Sequence, residues 1–158
     1  MQHYTSSRRT GLYGVVILLD LDNFKPVNDT YGHDAGDMVL VEAASRMKKC
    51  VRDVDTVARV GGDEFVVLLG QVDGAIDHAR EAADQISKKL LDALSEPYPL
   101  IVPGKTSEPD RIHHACSASL GVSLFFKDTL TVDQIVQAAD AAMYRAKQKG
   151  GNRAEIAG

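Results

Sequence analysis

The sequence predicts an α/β fold of the α+β kind, with a central, mostly antiparallel sheet of about five strands flanked by helices. Three observations predict it. First, the runs at Thr56–Val60 and Phe65–Leu69 flank a glycine pair, Gly61 and Gly62, which is the sequence sign of a tight hairpin. Second, apolar residues recur at helical spacing from Leu40 to Val51, from Ile76 to Leu94 and from Val132 to Ala146. Third, short β-branched runs stand between those helices. The resulting order, β-α-α-β-β-α-β-α-β, sets a hairpin between crossover helices, as in ferredoxin-like and polymerase-palm sheets.

Met1 to Gly14 opens polar and without periodicity, and is expected to be a residual linker ahead of one domain at residues 15–158. Val15 to Leu19 reads as a buried central strand that ends in Asp20-Leu21-Asp22. By strand alternation Asp20 and Asp22 share a face. Acids at the end of a central strand sit where open α/β sheets place ligands. A calcium loop of the EF-hand kind is excluded, because Phe24, Lys25 and Tyr31 stand where oxygen ligands and a glycine are required.

Phe24 to Thr30 reads as a short helical turn, Gly32 as a break, and Asp34 as a cap for the helix that follows. The continuous apolar run Phe65–Leu69 predicts a strand buried on both faces. Pro97, Pro99 and Pro103 with Gly104 end the second long helix, and Ile101 to His114 is expected to be a surface hairpin or loop. Ala115 to Phe126 is strand-like, with an interruption at Gly121. Thr131 and Gln134 form a capping box for the last helix. Gly150 and Gly151 stop that helix, and Ala154 to Ile156 is a candidate edge strand.

A chain of 158 residues with 44% apolar and 25% charged residues is a single globular domain by length and composition. Its net charge of −4 argues against a nucleic-acid polymer as partner. Cys50 and Cys116 have neither metal spacing nor a disulfide framework, which fits a reducing cytoplasm, and both read as small buried apolar groups. No apolar run approaches a membrane span of about 20 residues. A cytoplasmic domain is expected, in a parent protein free to be membrane-anchored elsewhere. Asp29 reads as a turn residue, His33 as a structural hydrogen-bonder, His113 and His114 as exposed, and Met143 and Tyr144 as packing groups.

Adjacent acids Asp63 and Glu64 at the hairpin have no packing rationale, since strands disfavour them and unpaired burial is costly. A divalent cation does call for them, because magnesium takes hard oxygen ligands together with substrate phosphates. The expected topology sets Asp20 beside Asp63, and two carboxylates on adjacent strands are the minimum for two-metal phosphoryl transfer.

With these motifs in order, the chain resembles the GGDEF-domain diguanylate cyclases, which join two GTP molecules into cyclic di-GMP. The resemblance runs from about Val15 to Arg153. It is carried by Asp20-Leu21-Asp22-Asn23-Phe24-Lys25, Asn28-Asp29-Thr30, Gly32 to Asp37, Gly61-Gly62-Asp63-Glu64-Phe65, Ser119 to Val122 and Ala139 to Lys147. It implies that Asp20, the Leu21 carbonyl and Asp63 hold Mg²⁺ (or Mn²⁺). Asn28 and Asp37 would read guanine. Lys25 and Lys147 would neutralise the triphosphate, helped by main-chain N–H groups near Asn23 and Phe24. Gly61 and Gly62 would line the substrate. Asp63 or Glu64 would sit by the attacking 3′-hydroxyl; which of them acts as base, if either does, stays open.

The resemblance also implies a homodimer for catalysis and a sensor or phosphodiesterase domain in the parent protein. It further implies a product-inhibition site at Arg52, Asp55 and Arg59. Two departures from the family pattern stand out. The Asp-x-Leu-Thr-Gly-Leu-x-Asn-Arg segment ahead of the first strand is missing, and Gly151 replaces a common arginine, which leaves Lys149 or Arg153 to compensate. The competing expectation is a non-catalytic module that binds GTP or cyclic di-GMP and regulates a partner domain.

Overall fold

The computed structural model describes residues 12–126 and 130–157. Its elements are β1 (Tyr13–Asp22), α1 (Phe24–Tyr31), α2 (His33–Cys50), β2 (Thr56–Gly61), β3 (Glu64–Asp73), α3 (Ile76–Ser95), β4 (Tyr98–Val102), β5 (Asp110–His114), β6 (Ser117–Phe125), α4 (Val132–Gln148) and β7 (Arg153–Ile156). Five strands form one sheet in the order β2-β3-β1-β6-β7, and β4 pairs with β5 in a separate ribbon. All neighbours in the large sheet run antiparallel except β6 and β7. The expected palm-like sheet flanked by helices is therefore present, with β1 at its centre. Of the expected linker, residues 1–11 lie outside the described residues.

Side-chain alternation along β1 divides the core in two. Val15, Ile17 and Leu19 face the larger cluster, where α1, α2 and α3 contribute Val27, Met47 and Leu90. Val16 and Leu18 face the opposite side and meet Ile135, Ala139 and Met143 of α4. On this second face β6 presents a row of small residues, with Ser123 beside Val16, Gly121 beside Leu18, Ser119 beside Asp20 and Ser117 beside Asp22. The row allows α4 to approach closely. A Cβ on Gly121 would lie 1.9 Å from the Ala139 carbonyl oxygen. Gly121 thus leaves β6 unbroken, contrary to expectation, and provides the space for helix on strand.

Other expectations are corrected. The run Phe65–Leu69 is fully buried on one face only: Phe65, Val67 and Leu69 enter the core, while Val66 and Leu68 are partly buried at the edge of the second cluster. Asp34 does not cap α2, whose N-cap is Gly32 at φ 92° without a side-chain bond; Asp34 lies in the first turn. The Thr131–Gln134 capping box is present in full.

The expected hairpin is present as the β4–β5 ribbon, and it begins earlier, inside the proline-rich segment, where Tyr98, Leu100 and Val102 alternate into the core while Pro99 and Ile101 face out. Arg46 fixes its start. The guanidinium donates to the carbonyls of Ala93, Glu96 and Pro97 at 2.9, 2.6 and 2.8 Å, and lies 4.0 Å from the centre of the Tyr98 ring. It therefore satisfies acceptors that the end of α3 leaves open. His114 is half-buried, with its Nε2 unpartnered, whereas His113 is exposed as expected. Cys116 is buried, Cys50 only partly so, and Tyr144 points to solvent.

Candidate functional site

At the C-terminal end of β1 the chain turns sharply into α1 through Asn23, which adopts a left-handed conformation at φ 60°. The hairpin between β2 and β3 arrives beside it. Gly61 already pairs with Glu64, so the tight turn itself is Gly62-Asp63, and Gly62 takes the positive φ of 49° that a glycine accepts without strain. The Leu21 amide donates to the Asp63 carbonyl at 3.2 Å and stitches the two elements together. These contacts bring Asp20 and Asp63 side by side, as the sequence suggested. Glu64 follows at the first position of β3, opposite Asp20.

These groups open onto a cavity of about 430 Å³ whose lining includes Asp20, Leu21, Asn23, Lys25, Asp63 and Lys147. Lys147, in the last turn of α4, reaches across to donate to Asp20 Oδ2. Asp20 Oδ1 is buried and has no partner. The Asp63 carboxyl is pushed up to about 6 by burial first, then by its hydrogen bond to Asp20 and by the Asp20 charge. Burial also lifts Glu64, and the charges of Asp20 and Asp140 lift it further. Burial alone would lower Lys147, but its hydrogen bond to Asp20 and the charges of Asp20, Asp63 and Asp22 raise it instead. The site is thus rich in negative charge, short of compensating cations, and holds an orphaned carboxylate oxygen.

That donor set fits a hard divalent cation. Among the described residues there is no cluster of three or more His, Cys, Asp and Glu side chains able to hold a metal. Two carboxylates and the Leu21 carbonyl would therefore need phosphate and water oxygens to complete a shell, which is the habit of magnesium at phosphoryl-transfer sites.

Asp22 has a different role from Asp20. Its carboxylate accepts from Ser117 Oγ and Ser119 Oγ, each at 2.7 Å, and from the Asn152 amide at 3.0 Å. It ties β1, β6 and the turn after α4 into one frame. Gly151 lies on this frame at φ 73°, where a Cβ would come within 2.7 Å of Asp22 Oδ2. Of the two candidate substitutes for the missing arginine, Lys149 is paired with Glu155 at 2.5 Å, and Arg153 folds back onto the Gly151 carbonyl at 3.1 Å. Ser117, Ser119 and Asp140 were not among the expected site residues, and Asp22, expected on one face with Asp20, proves to frame the site; the i, i+2 serines opposite two acids were the available signal.

Asn28 and Asp37 stand at the α1–α2 corner, next to but not among the lining residues of this cavity. The Asn28 carboxamide rests over Gly36, where a Cβ would be only 1.8 Å from its Oδ1. Asp37 follows Gly36 in α2 and is exposed. Phe24 is buried and anchors α1, whereas Lys25 is exposed at the cavity.

On the other side of the domain, Arg52 and Asp55 form a two-pronged ion pair at 2.9 and 3.1 Å, and Arg52 also donates to the Gly70 carbonyl at 2.6 Å. They line a second cavity of about 250 Å³ with Gln85 and Lys89. Arg59 does not join them. Its Nε donates to the Gly62 carbonyl at 2.7 Å, within the hairpin turn.

Comparison with known proteins gives a consistent picture. The family model described as "Diguanylate cyclase, GGDEF domain" matches residues 2–153. The chain is 42% identical over 139 residues to the bifunctional diguanylate cyclase/cyclic di-GMP phosphodiesterase MucR of Pseudomonas aeruginosa, covering 87% of this chain and 18% of that protein. It is 38% identical over 141 residues to diguanylate cyclase A of Treponema denticola, covering 89% of this chain and 34% of that one. The crystal structure of the GGDEF domain of YfiN (TpbB) from P. aeruginosa superposes with a TM-score of 0.82 at 30% identity, covering 99% of this chain and 91% of that one. The chain thus spans well under half the length of these two curated relatives. Among the described residues, no helix is long and apolar enough to cross a membrane.

Proposed function

Since the chain belongs to the GGDEF diguanylate cyclase family, we propose that it condenses two GTP molecules into cyclic di-GMP with release of pyrophosphate. The observation that carries this reading is the Asp20–Asp63 pair, held by Lys147 at the mouth of a cavity that the first turn of α1 also lines. Asp20, Asp63 and the Leu21 carbonyl would hold Mg²⁺ or Mn²⁺. When bound, such an ion neutralises triphosphate charge and makes the attacking 3′-hydroxyl more acidic.

The chain's own residues do the rest. Main-chain N–H groups at the start of α1 cradle the phosphates, because the first turn of a helix leaves its N–H groups free and the helix dipole favours negative charge there. Lys25 and Lys147 add point charges to the same cavity. Gly61 and Gly62 leave the hairpin without side chains where substrate approaches. Asn28 and Asp37 discriminate the base: Asp37 accepts from guanine N–H groups that adenine lacks, and the Asn28 amide pairs beside it. Glu64 and Asp63 flank the hydroxyl that attacks. Because the product is two-fold symmetric and one site holds one GTP, two subunits must face each other.

We further assign product inhibition to Arg52 and Asp55, whose cavity also offers the Lys89 cation. Arg59 is the weakest member of that assignment, since it is committed to the hairpin. A second reading is a GTP- or cyclic di-GMP-binding regulatory module within a larger signalling protein. It is favoured by one observation: a relative named cyclic di-GMP phosphodiesterase NbdA, from P. aeruginosa, is 36% identical over 156 residues.

Incubation with GTP and Mg²⁺, followed by nucleotide chromatography, separates the two readings. Cyclic di-GMP appearing at a specific activity that rises with protein concentration supports the cyclase. Tight nucleotide binding without turnover, even on fusion to a dimeric coiled coil, supports the module.

A further inference from the structure

We propose that Lys147 is a cation lock on the metal site: its ammonium holds Asp20 in place of the metal ion until a triphosphate draws it away, so that ion and nucleotide enter together. The proposal rests on the reading of Asp20 and Asp63 as metal ligands. It goes beyond that reading in giving one lysine two alternating partners.

The geometry supports each half of the exchange. Lys147 crosses from α4 to β1, 127 residues away in sequence, to donate to Asp20 Oδ2. Its side chain is 41% exposed while that of Asp20 is 15% exposed, so the lysine can leave and the carboxylate cannot follow. A lysine stem is flexible and its ammonium is a compact point charge, which suits a mobile cation. Both lysine positions are within one cavity, because Lys147 and the α1 turn at Asn23, Phe24 and Lys25 line the same space.

The lock is also incomplete in the way a stand-in must be. One ammonium brings a single positive charge to two neighbouring carboxyls. It leaves Asp20 Oδ1 buried and unpartnered. A divalent ion would satisfy that oxygen and supply the second charge. Lys149 and Arg153, which follow α4 in the chain, are held by other partners, Lys149 by Glu155 and Arg153 by the Gly151 carbonyl, and the bond to Asp20 is made by Lys147. Lys147 is therefore the group whose release frees Asp20. Exchange of one cation for another couples the two ligands, and such coupling is reciprocal.

The sign of the effect distinguishes a lock from a merely structural lysine. Damage to the site weakens ion binding, whereas removal of a competing cation strengthens it. Mn²⁺ binding to the nucleotide-free protein, measured by electron paramagnetic resonance titration, is the readout. Parent, Lys147→Met, Lys147→Gln, Lys147→Arg and Asp20→Asn are compared, with circular dichroism to establish folding. Lys147→Met and Lys147→Gln are expected to bind Mn²⁺ roughly tenfold more tightly than the parent, within the usual range of site-to-site coupling. Lys147→Arg, which keeps a cation, should remain near the parent. If the two neutral variants bind Mn²⁺ no better than the parent while Asp20→Asn loses it, the lock is overturned and the metal assignment stands. If Asp20→Asn binds Mn²⁺ as well as the parent, the metal assignment fails and the lock fails with it.

Discussion

Replacing Asp63 by asparagine should stabilise the metal-free domain while abolishing turnover. In the folded protein the Asp63 carboxyl is raised from 3.8 to about 6, chiefly by burial and then by Asp20. A folded-state pKa above the unfolded one means that the folded protein binds this proton more tightly. The associated stability is fully present below pH 3.8 and is lost as pH rises through about 6. Above that, folding keeps a second negative charge beside Asp20. One pKa unit is worth roughly 1.4 kcal/mol, so the ceiling is about 3 kcal/mol. Solvent screening around a half-buried carboxyl brings this to about 1–2 kcal/mol.

Asparagine matches the shape, carries no charge, and can still donate to Asp20. In EDTA at pH 7.5, Asp63→Asn should therefore unfold about 2–8 °C above the parent, given roughly 2–4 °C per kcal/mol for a domain of this size. At pH 4 the two should converge. Thermal melts followed by circular dichroism at both pH values test this. A variant less stable than the parent at pH 7.5, or an equal gap at both pH values, would refute the electrostatic account of the hairpin acids.

Other perturbations separate the parts of the molecule. A methyl at Gly36 would collide with Asn28 Oδ1, so Gly36→Ala should displace that amide. It should lower the preference for GTP over ATP by roughly tenfold or more in a protein shown to be folded by circular dichroism, with the Phe24 ring, 3.2 Å from the new methyl, giving way as well; unchanged selectivity by calorimetry would remove Asn28 from base recognition. Arg46→Met leaves carbonyls of the α3 terminus unsatisfied. It should cost about 2–3 kcal/mol in urea unfolding, with turnover per folded molecule unchanged. Arg52→Ala should lose cyclic di-GMP binding outside the active site yet keep GTP turnover, and equal product affinity would end the inhibitory assignment.

The parts of the fold that local chemistry decides were legible in the sequence. The glycine pair marked the hairpin, β-branched residues marked β1, and the helical period marked α2, α3 and α4. What escaped depended on partners far away in the chain. Three prolines read as a break, yet Tyr98, Leu100 and Val102 form a strand because Arg46 and the α2–α3 core receive them. Gly121 read as an interruption, although the backbone of α4 passing 1.9 Å from its missing Cβ is the actual reason for it. The apolar run of β3 gave no sign that α4 covers β1 and β6 and leaves Val66 and Leu68 half-open.

The site divides the same way. Asp20 and Asp63 were legible because strand order placed them together. The Asp22 bonds to serines 95 and 97 residues away were not, and neither was the pairing of Arg59 with its own turn. Lys147 was legible only through family resemblance, since nothing local in α4 reveals that its ammonium meets Asp20.

On the proposed reading, Asp63 holds the cation through which two GTP molecules are joined. The most direct test of that reading is nucleotide chromatography after incubation of parent and Asp63→Ala with GTP and Mg²⁺, both first established as folded by circular dichroism. The parent should yield cyclic di-GMP and pyrophosphate, and the variant none above background. Comparable cyclic di-GMP from a folded Asp63→Ala protein would contradict it.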